Sequence, residues 1–524
     1  MTRFLGILFA LVLVFSLAGI SLPSPVLAAQ PSEVWVDDDF TPDTPGWGVT
    51  HFDKIQDGID AVAGSVVHVA AGTYYENITL VDGVQVLGAG ADVTTIDGGG
   101  AGSVVTADGV SADTVLDGFT ITGGNATSGG GMYNGHSSPT VTNCTFYDNS
   151  ADSSGGGMYN WESSPTVANC AFSGNWAWFG GGMYNDESSP MVTNCSFTEN
   201  SVAGVSGGMH NYFSSPTVTN CTFSANYGSG ISNHDSLPTV TNCIFSANSA
   251  TYGGGISSWD SSPVVTNCTF TDNSATWGGG IHNGRSSATV TNCIFFANSA
   301  LYGGGMENWK SSAPTVTNCI FYGNSATYGG GMSNCNSSPT VTNCTFSNNL
   351  ASEGGGMYNW FYSSVRVNNC ILWVDSAPNG PEVYNNDDFG PTALLISHSD
   401  IEGCGCSGPV WQTSLGNDGG GNIDAMPLFV DPAGNDYHLK IGSPCIDKGT
   451  DVGAPTKDIE GNPRPIDGDI DGTATTDIGA YEYVPTEPQP PPKVPGVTLW
   501  GGIAMAGFLG LLMVYMIRRR QTAS

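Results

Sequence analysis

Aromatic residues recur at fixed positions around a glycine-rich segment that the chain repeats, and rings in such rows can stack on sugars. One group lies just before the glycines, and the other follows the Gly-Gly-Gly-Met-x-Asn segment on every second copy. If copies stack about 4.8 Å apart, the second group is spaced by roughly 10 Å. We interpret these rings as a glycan-binding ridge; the alternative is that they only cover the edge of the fold and stabilise their neighbours. The candidates are Tyr227, Tyr252, Trp277, Tyr302 and Tyr328 in the first group, and Trp161, Tyr212, Trp259, Trp309 and Trp360 in the second.

A run of acidic residues near the C-terminal end has the alternating spacing of a calcium-binding loop. Carboxylates at alternate positions, followed by Gly, can converge on one hard cation. Ile478 stands where an EF-hand would place its bidentate Glu, so a solvated acidic turn is the alternative. The candidate Ca²⁺ ligands are Asp467, Asp469, Asp471 and Asp477.

Ten of the 14 cysteines recur at steps of 25 or 26 residues, with one step of 22. Identical thiols in one inward column do not converge as a tetrahedral zinc site requires, and parallel in-register side chains do not present the torsion of a disulfide. We predict that they are buried free thiols that act as small apolar residues. Outside the column, Cys404, Cys406 and Cys445 are disulfide candidates, and Cys335 is expected to be an exposed thiol.

The same period organises everything between residues 123 and 372. Each copy resembles S-S-P-T-V-T-N-C-T-F-S-x-N-S-A-x-Y-G-G-G-M-x-N and contains two strand-like pieces too short to bury an apolar face alone, so the copies must stack. Gly, Asn and Thr are poor helix formers, and no 3.6-residue stripe is present. Asn143 and Asn149, which recur in nearly every copy, suit left-handed bends and stacked amides. The repeat predicts an all-β, single-stranded parallel β-helix of roughly fourteen to seventeen coils.

Two resemblances make this prediction more specific. The repeated F-x-x-N, paired with Gly-Gly-[Met/Ile], resembles the repeat of the polymorphic outer membrane proteins, which are β-helical surface adhesins; those proteins end in a β-barrel, and this chain does not resemble them there. The segment from Val66 to Gly98 resembles the opening coils of pectate-lyase-like right-handed β-helices. Before it, the stripe of Phe52, Ile55, Ile59 and Val62 predicts a helix that caps the stack. The resemblance implies a right-handed β-helix with an N-terminal capping helix.

The pectate-lyase resemblance also raises a catalytic alternative, a lyase or glycoside hydrolase. Such enzymes need a base beside calcium-binding carboxylates, or paired acids. The only Lys and Arg residues between 56 and 444 are Arg285, Lys310, Arg366 and Lys440, and neither arrangement is visible in the sequence. No catalytic residue is therefore assigned. His210 and His282, whose strand positions hold Tyr, Ser or Glu in other copies, are expected on the surface.

Charge excludes one class of partner. The chain carries 46 acidic and 13 basic residues, a formal net charge of −33, and a nucleic-acid binder needs a basic stripe. The same charge repels polyuronates unless calcium bridges them.

Both ends predict export and anchoring. Arg3, an apolar run and the small residues Val26–Ala29 are typical of a cleaved signal peptide. Near the other end, 21 uncharged residues precede Arg518–Arg520, enough to span about 30 Å of bilayer as a helix with the arginines inside. Residues 494–501 resemble the Pro-and-Trp-Gly motif of bacterial sorting tails, which would make the helix a processed anchor.

The predicted parts are a signal peptide at 1–29, the N-terminal cap and first coils at 30–122, ten repeats at 123–372, irregular final coils and a C-terminal cap at 373–483, a Pro-rich linker at 484–496, a transmembrane or sorting helix at 497–517 and a basic tail at 518–524. Together they predict a cell-surface protein of adhesive or structural type that binds glycans or extracellular matrix, with the membrane as its second partner. The alternatives are a polysaccharide-active enzyme and a purely architectural surface-layer component.

Overall fold

A computed structural model describes residues 30–485, which form a parallel β-solenoid of about 14 turns. The predicted signal peptide, most of the linker, the 497–517 helix and the basic tail lie outside the described residues. Within 30–485, none of the helices is long and apolar enough to cross a membrane.

Each turn contributes one short strand to each of three or four parallel sheets, which we name after their inward residues. The valine sheet contains, in spatial order, His51–Phe52, Glu33–Val36, Val66–Val69, Gln85–Gly88, Val115–Asp117, Thr140–Thr142, Thr166–Ala168, Met191–Thr193, Thr217–Thr219, Thr239–Thr241, Val264–Thr266, Thr289–Thr291, Thr315–Thr317, Thr340–Thr342, Ser364–Asn368, Ala393–Ser397 and Asn417–Asp418. The phenylalanine sheet contains Gly72–Tyr75, Thr94–Asp97, Thr120–Thr122, Thr145–Tyr147, Ala171–Ser173, Ser196–Thr198, Thr222–Ser224, Ile244–Ser246, Thr269–Thr271, Ile294–Phe296, Ile320–Tyr322, Thr345–Ser347, Ile371–Trp373 and Asp400–Ile401.

The other two sheets complete the turn. The methionine sheet contains Ile78–Thr79, Val105–Asp108, Met132–Gly135, Met158–Trp161, Met183–Asp186, Met209–Tyr212, Ile231–His234, Ile256–Trp259, Ile281–Gly284, Met306–Trp309, Met332–Cys335, Met357–Trp360 and Val383–Asn386. The alanine sheet has two separate sections, Asn125–Ser128, Ser150–Ser154, Trp176–Phe179 and Ser201–Val205, then Ser249–Tyr252, Ser274–Trp277, Ser299–Tyr302 and Ser325–Tyr328.

The core consists of identical side chains stacked on one another, as the repeat predicts. Phe146 and Phe172 are register partners with ring centroids 4.7 Å apart and an interplanar angle of 2°. The ten cysteines of the predicted column are free and 0–3% exposed, which confirms their assignment as apolar core residues. Each also makes weak hydrogen bonds: Cys144 Sγ donates to the carbonyl of Thr142 at 3.1 Å.

The asparagines divide the two predicted roles between them. Asn143 adopts a left-handed φ of 52°, and its equivalents do so in every later repeat. Asn149 is buried and belongs to an amide ladder in which its Nδ2 donates to Asn175 Oδ1 at 3.2 Å. A second buried amide ladder, which begins with Asn134 Nδ2 donating to Asn160 Oδ1 at 2.8 Å, follows the inward methionines. Glycine is required beside the core, because a Cβ on Gly255 would lie 2.5 Å from the Phe270 ring.

A seven-residue helix, Ile55–Ala61, forms where the apolar stripe predicts one. Ile55 and Ile59 are buried in the core, and the Glu76 carboxylate accepts the N–H of Ile55 at 2.8 Å and of Gln56 at 3.0 Å. Its capping role stays a prediction.

The predicted C-terminal cap lies along the side of the stack. Segment 429–483 contains the antiparallel strands Phe429–Asp431 and Asp436–Leu439, and Pro432–Gly434 is a 3-10 turn between them. A second 3-10 turn, Thr413–Leu415, precedes this segment. The apolar residues of the segment pack on Ile320 and Ile371 of the phenylalanine sheet. Asn343 Nδ2 donates to the carbonyl of Asp477 at 3.0 Å, so the asparagine bends of the last coils bind this segment.

The cysteines outside the column differ from their prediction. Cys404, Cys406 and Cys445 are free, which contradicts a disulfide among them. The Cys445 thiol donates to Asp400 Oδ2 at 3.1 Å, and Cys404 Sγ accepts the N–H of Cys406 at 3.3 Å.

Candidate functional site

The two predicted rows of aromatic residues merge into one surface, which we call the aromatic face. Trp277 stacks on Tyr302 at 4.3 Å and 4°, and Tyr302 stacks on Tyr328 at 4.8 Å. Across the rows, Trp277 lies 6.3 Å from Trp309, and Tyr302 lies 5.8 Å from Trp360. The members of the aromatic face, all partly buried, are Tyr252, Trp259, Trp277, Tyr302, Trp309, Tyr328 and Trp360.

The predicted 10 Å spacing of the second row is wrong. The centroids of Trp259 and Trp309 are 5.6 Å apart, with the rings almost perpendicular at 88°. Gly284 occupies the coil between them, and a Cβ there would lie 2.8 Å from Trp259 Cε3. The small residue lets the two indoles lean together, so they stabilise one another and form a broken rather than continuous stack.

Three of the predicted ridge residues lie apart from this cluster. Tyr227 is 67% exposed, and its register partners are Ser201 and Ser249. It is therefore not aligned with Tyr252 and does not continue the row of rings. Trp161 is edge-on to His136 at 4.4 Å, and Tyr212 contacts Phe213 at 4.5 Å; both lie on earlier coils.

Beneath the aromatic face lies a polar layer that the sequence assigned to the surface. His282 and Glu307 have side chains with 0% exposure, and His282 Nδ1 lies 2.8 Å from Glu307 Oε2. Burial raises the pKa of Glu307, while the contact with His282 opposes the rise. The expectation of a surface position is wrong for both histidines: His210 is 6% exposed, and His282 is covered by Tyr252 and Trp259, which each lie 5.1 Å from its ring.

Rings of the aromatic face also bury Cys335. It is 3% exposed, and Trp309 and Trp360 are its register partners on the two sides. Burial raises the pKa of its thiol to about 12, so the prediction of an exposed thiol is wrong.

Two of the few basic side chains lie over the indoles of the aromatic face. Arg285 Cζ is 5.8 Å from the centroid of Trp259, and Lys310 Nζ is 3.9 Å from that of Trp309. Arg285 also pairs with Asp260, its Nε lying 2.6 Å from Oδ1. These contacts place positive charge at the rim of the aromatic face, where cation–π attraction holds it.

The structure brings together a different acidic group from the one predicted. Within residues 30–485, carboxylate oxygens of Asp447, Asp467 and Asp469 lie within 4.8 Å of one another. Asp471 lies outside that group, and the buried Asp477 carboxylate accepts the N–H of Asp447 at 2.7 Å instead. Asp447 was missed because it lies 20 residues before Asp467 with no local motif to mark it. Calcium binding stays a prediction.

A pair of buried carboxylates in the last coils was also missed. Asp375 and Glu382 are 6% and 3% exposed and line a cavity of about 1280 Å³ together with Glu402 and Trp411. Asp375 Oδ1 accepts the N–H of Asn349 at 2.7 Å, so this residue ends the amide ladder. Burial raises the pKa of Asp375 to about 7. Burial also raises the pKa of Glu382, and the nearby Asp375 carboxylate raises it further.

The family described as "Right handed beta helix region" matches residues 82–237, 179–295 and 255–414, which together span more than half of the chain. No curated protein sequence matches this chain. The relation to polymorphic outer membrane proteins stays a prediction.

Among solved structures, tailspike protein 3 of bacteriophage CBA120 is 12% identical at a TM-score of 0.41; the match covers 64% of this chain and 53% of the tailspike, about half of its length. Pectate lyase Pel9A is 14% identical at a TM-score of 0.26, with 87% and 97% covered. The A-module of the Azotobacter vinelandii mannuronan C-5 epimerase AlgE6 is 12% identical at a TM-score of 0.31, with 66% and 94% covered.

Proposed function

The chain belongs to the right-handed β-helix family, and from this premise we propose that it is an exported surface protein that binds glycans through its aromatic face. The observation that supports the proposal is the clustering of seven partly buried rings along one side of five successive coils. Aromatic surfaces with a few polar groups at their rim are typical of ligand and partner sites. The residues at each end of the chain support export and anchoring, which would leave the β-helix outside the membrane.

Charge narrows the ligand class. With a formal net charge of −33, the protein repels polyanions at a distance. Arg285 and Lys310 are held against indole rings rather than free to pair with a polyuronate. We therefore propose neutral polysaccharides as the ligands.

The test compares full-length protein with a Trp259→Ala, Trp309→Ala, Trp360→Ala variant on cello-oligosaccharide, xylan, mannan and polygalacturonate, by affinity electrophoresis. We expect retention on at least one neutral polymer and its loss in the variant. The matched control is Trp176→Ala with Trp178→Ala, two indoles 40% and 50% exposed on the other section of the alanine sheet.

Circular dichroism and the unfolding midpoint establish that each variant is folded. Equal retention by the folded triple variant contradicts the proposal. Absence of retention by the unaltered protein also contradicts it and favours the architectural alternative.

The second candidate, a polysaccharide-active enzyme, is favoured by the Asp375–Glu382 pair. Burial raises the pKa of both carboxyls, and a carboxyl with a raised pKa can act as the general acid of glycoside cleavage. New reducing ends or unsaturated products from the same polymers, abolished by Asp375→Asn, would support this candidate over binding alone.

A further inference from the structure

One coil of the ten repeats is shorter than the others, and the shortening removes a strand. Between Asn226 and Ile231 the chain has four residues, whereas the next coil has seven between Asn248 and Ile256. The alanine sheet consequently ends at Ser201–Val205 and resumes only two coils later.

The missing strand exposes the outer side of the methionine sheet in a cavity of about 260 Å³, which we call the notch. Its floor is formed by His210, Ser232 and Ser257, which are 6%, 4% and 3% exposed. Its wall on the C-terminal side is formed by Tyr252 and Trp259. These five residues define the notch.

The floor is polar and uncharged. Burial, followed by the nearby His234, lowers the pKa of His210 to about 3, so the imidazole is neutral. Its Nδ1 has no hydrogen-bond partner in the part of the chain that the structure describes. A buried polar atom without a partner costs stability, which a ligand hydroxyl group would recover.

The wall supplies ring surface that the rest of the aromatic face does not. In the Trp277–Tyr302–Tyr328 stack, the middle ring, Tyr302, is covered on both faces and covers one face of each neighbour. Tyr252 and Trp259 instead meet nearly at right angles, at 5.4 Å and 84°, and both border the notch. Ser229 Oγ donates to the carbonyl of Tyr252 at 2.8 Å, which fixes this wall to the short coil.

We infer that the notch binds one neutral pyranose unit of the glycan. The inference rests on the proposed function and specifies where a single sugar is recognised. Sites for drug-sized ligands have about 300–1,000 Å³, and the smaller volume of the notch suits one ring. Two hydroxyls and a neutral imidazole match sugar hydroxyls. His234 also lines the notch, but its Nδ1 lies 2.8 Å from Asp235 Oδ2, so a uronate would bring an uncompensated charge to a buried floor.

The test uses methyl glucoside, methyl galactoside, methyl mannoside and glucuronate as probes, with full-length protein and saturation-transfer NMR. We expect at least one neutral glycoside to bind and glucuronate not to bind. Replacing residues 227–230 by the sequence of residues 249–255 restores the full coil and fills the notch, and should abolish the signal.

A second variant, Ser232→Ala with Ser257→Ala, removes the two hydroxyls of the floor and leaves the Cβ atoms in place. We expect the affinity for the glycoside to fall about tenfold or more, because the sugar hydroxyls that pair with the floor are then left without partners. The control, Tyr147→Ala, removes a ring that is 53% exposed on the phenylalanine sheet, outside both the notch and the aromatic face, and should keep glycoside binding.

The outcomes separate the two proposals. If no neutral glycoside binds, or if both notch variants bind as tightly as the unaltered protein, the inference is wrong, while polymer retention that depends on Trp309 and Trp360 still supports the proposed function. If a neutral glycoside binds but no polymer is retained, the inference about the notch is supported and the proposed binding of polysaccharides by the aromatic face is wrong. Binding of glucuronate as tight as that of the glycosides also contradicts the inference.

Discussion

The coil stack and the C-terminal segment 429–483 bury their polar groups in different ways. In the stack, Asn298 Nδ2 donates to Asn324 Oδ1 at 2.9 Å, and most buried amides of this ladder likewise meet a copy of themselves. In the segment, the buried Asp458 carboxylate accepts the N–H of Glu482 at 3.0 Å, and each acid has a different partner. Repetition thus satisfies most buried polar groups of the stack without charge, the exceptions being the histidines and Glu307 of the methionine sheet and the acids of the last coils, whereas the irregular segment relies on ionisable groups.

The largest expected effect comes from breaking the repetition itself. Phe270 has no exposed surface and lies 4.8 Å from both Phe245 and Phe295. Phe270→Ala leaves a cavity in the stack and should lower the free energy of unfolding by about 3–5 kcal/mol. Denaturant unfolding of the full-length protein measures the loss, and hydrogen exchange should rise in the coils on both sides while segment 429–483 stays protected. A loss below about 1 kcal/mol would contradict close packing of the column.

An intermediate effect follows from the charges of the segment. Burial raises the pKa of Asp477 to about 8 and that of Glu482 to about 7, whereas a carboxyl in an unfolded chain has a pKa near 4. Between those values the folded segment retains protons that the unfolded chain releases. Its stability should therefore be greatest near pH 4 and fall as the pH rises to 8, by at most about 1.4 kcal/mol per pH unit per carboxyl.

Hydrogen exchange at pH 5 and pH 7.5, corrected for intrinsic rates, measures this pH dependence. The internal reference is residues 132–200, whose buried polar groups are amides and hydroxyls apart from the cysteine thiols. Glu482→Gln should reduce the pH dependence of the segment. Equal protection of the segment at both pH values would show that its acids are not buried as the structure places them.

The smallest effect is expected from a surface ion pair of the stack. Arg285 is 49% exposed in its pair with Asp260, so Arg285→Ala should lower the stability very little and alter the fluorescence of Trp259. The matched truncation is Arg464→Ala, whose guanidinium is buried 3.1 Å from Glu482 and should cost more. Equal losses would remove the contrast between the two regions.

The columns of the stack could be predicted because the same pattern of apolar residues occurs in each repeat. Val, Cys and Phe alternate around the Asn143 bend in copy after copy, and only a parallel stack satisfies all copies together. The family match and the sheet registers confirm that fold.

The site was predicted only in part, because its geometry depends on side-chain directions and distant contacts. The lean of Trp259 toward Trp309 depends on Gly284, and the burial of His282 depends on rings from neighbouring coils. The approach of Asp447 to Asp467 depends on how an irregular segment folds back, which no local pattern encodes.

Because the ladders are in register, the length of the stack can change in steps of one coil. Since Ser249 pairs with Ser274 and Ser274 with Ser299, removing residues 274–298 would join two coils whose columns already match. The rod would then shorten by one strand spacing, about 4.8 Å, and keep both ends unchanged. Its reach is therefore set in whole coils, so gain or loss of a unit changes how far the surface extends without redesigning any contact.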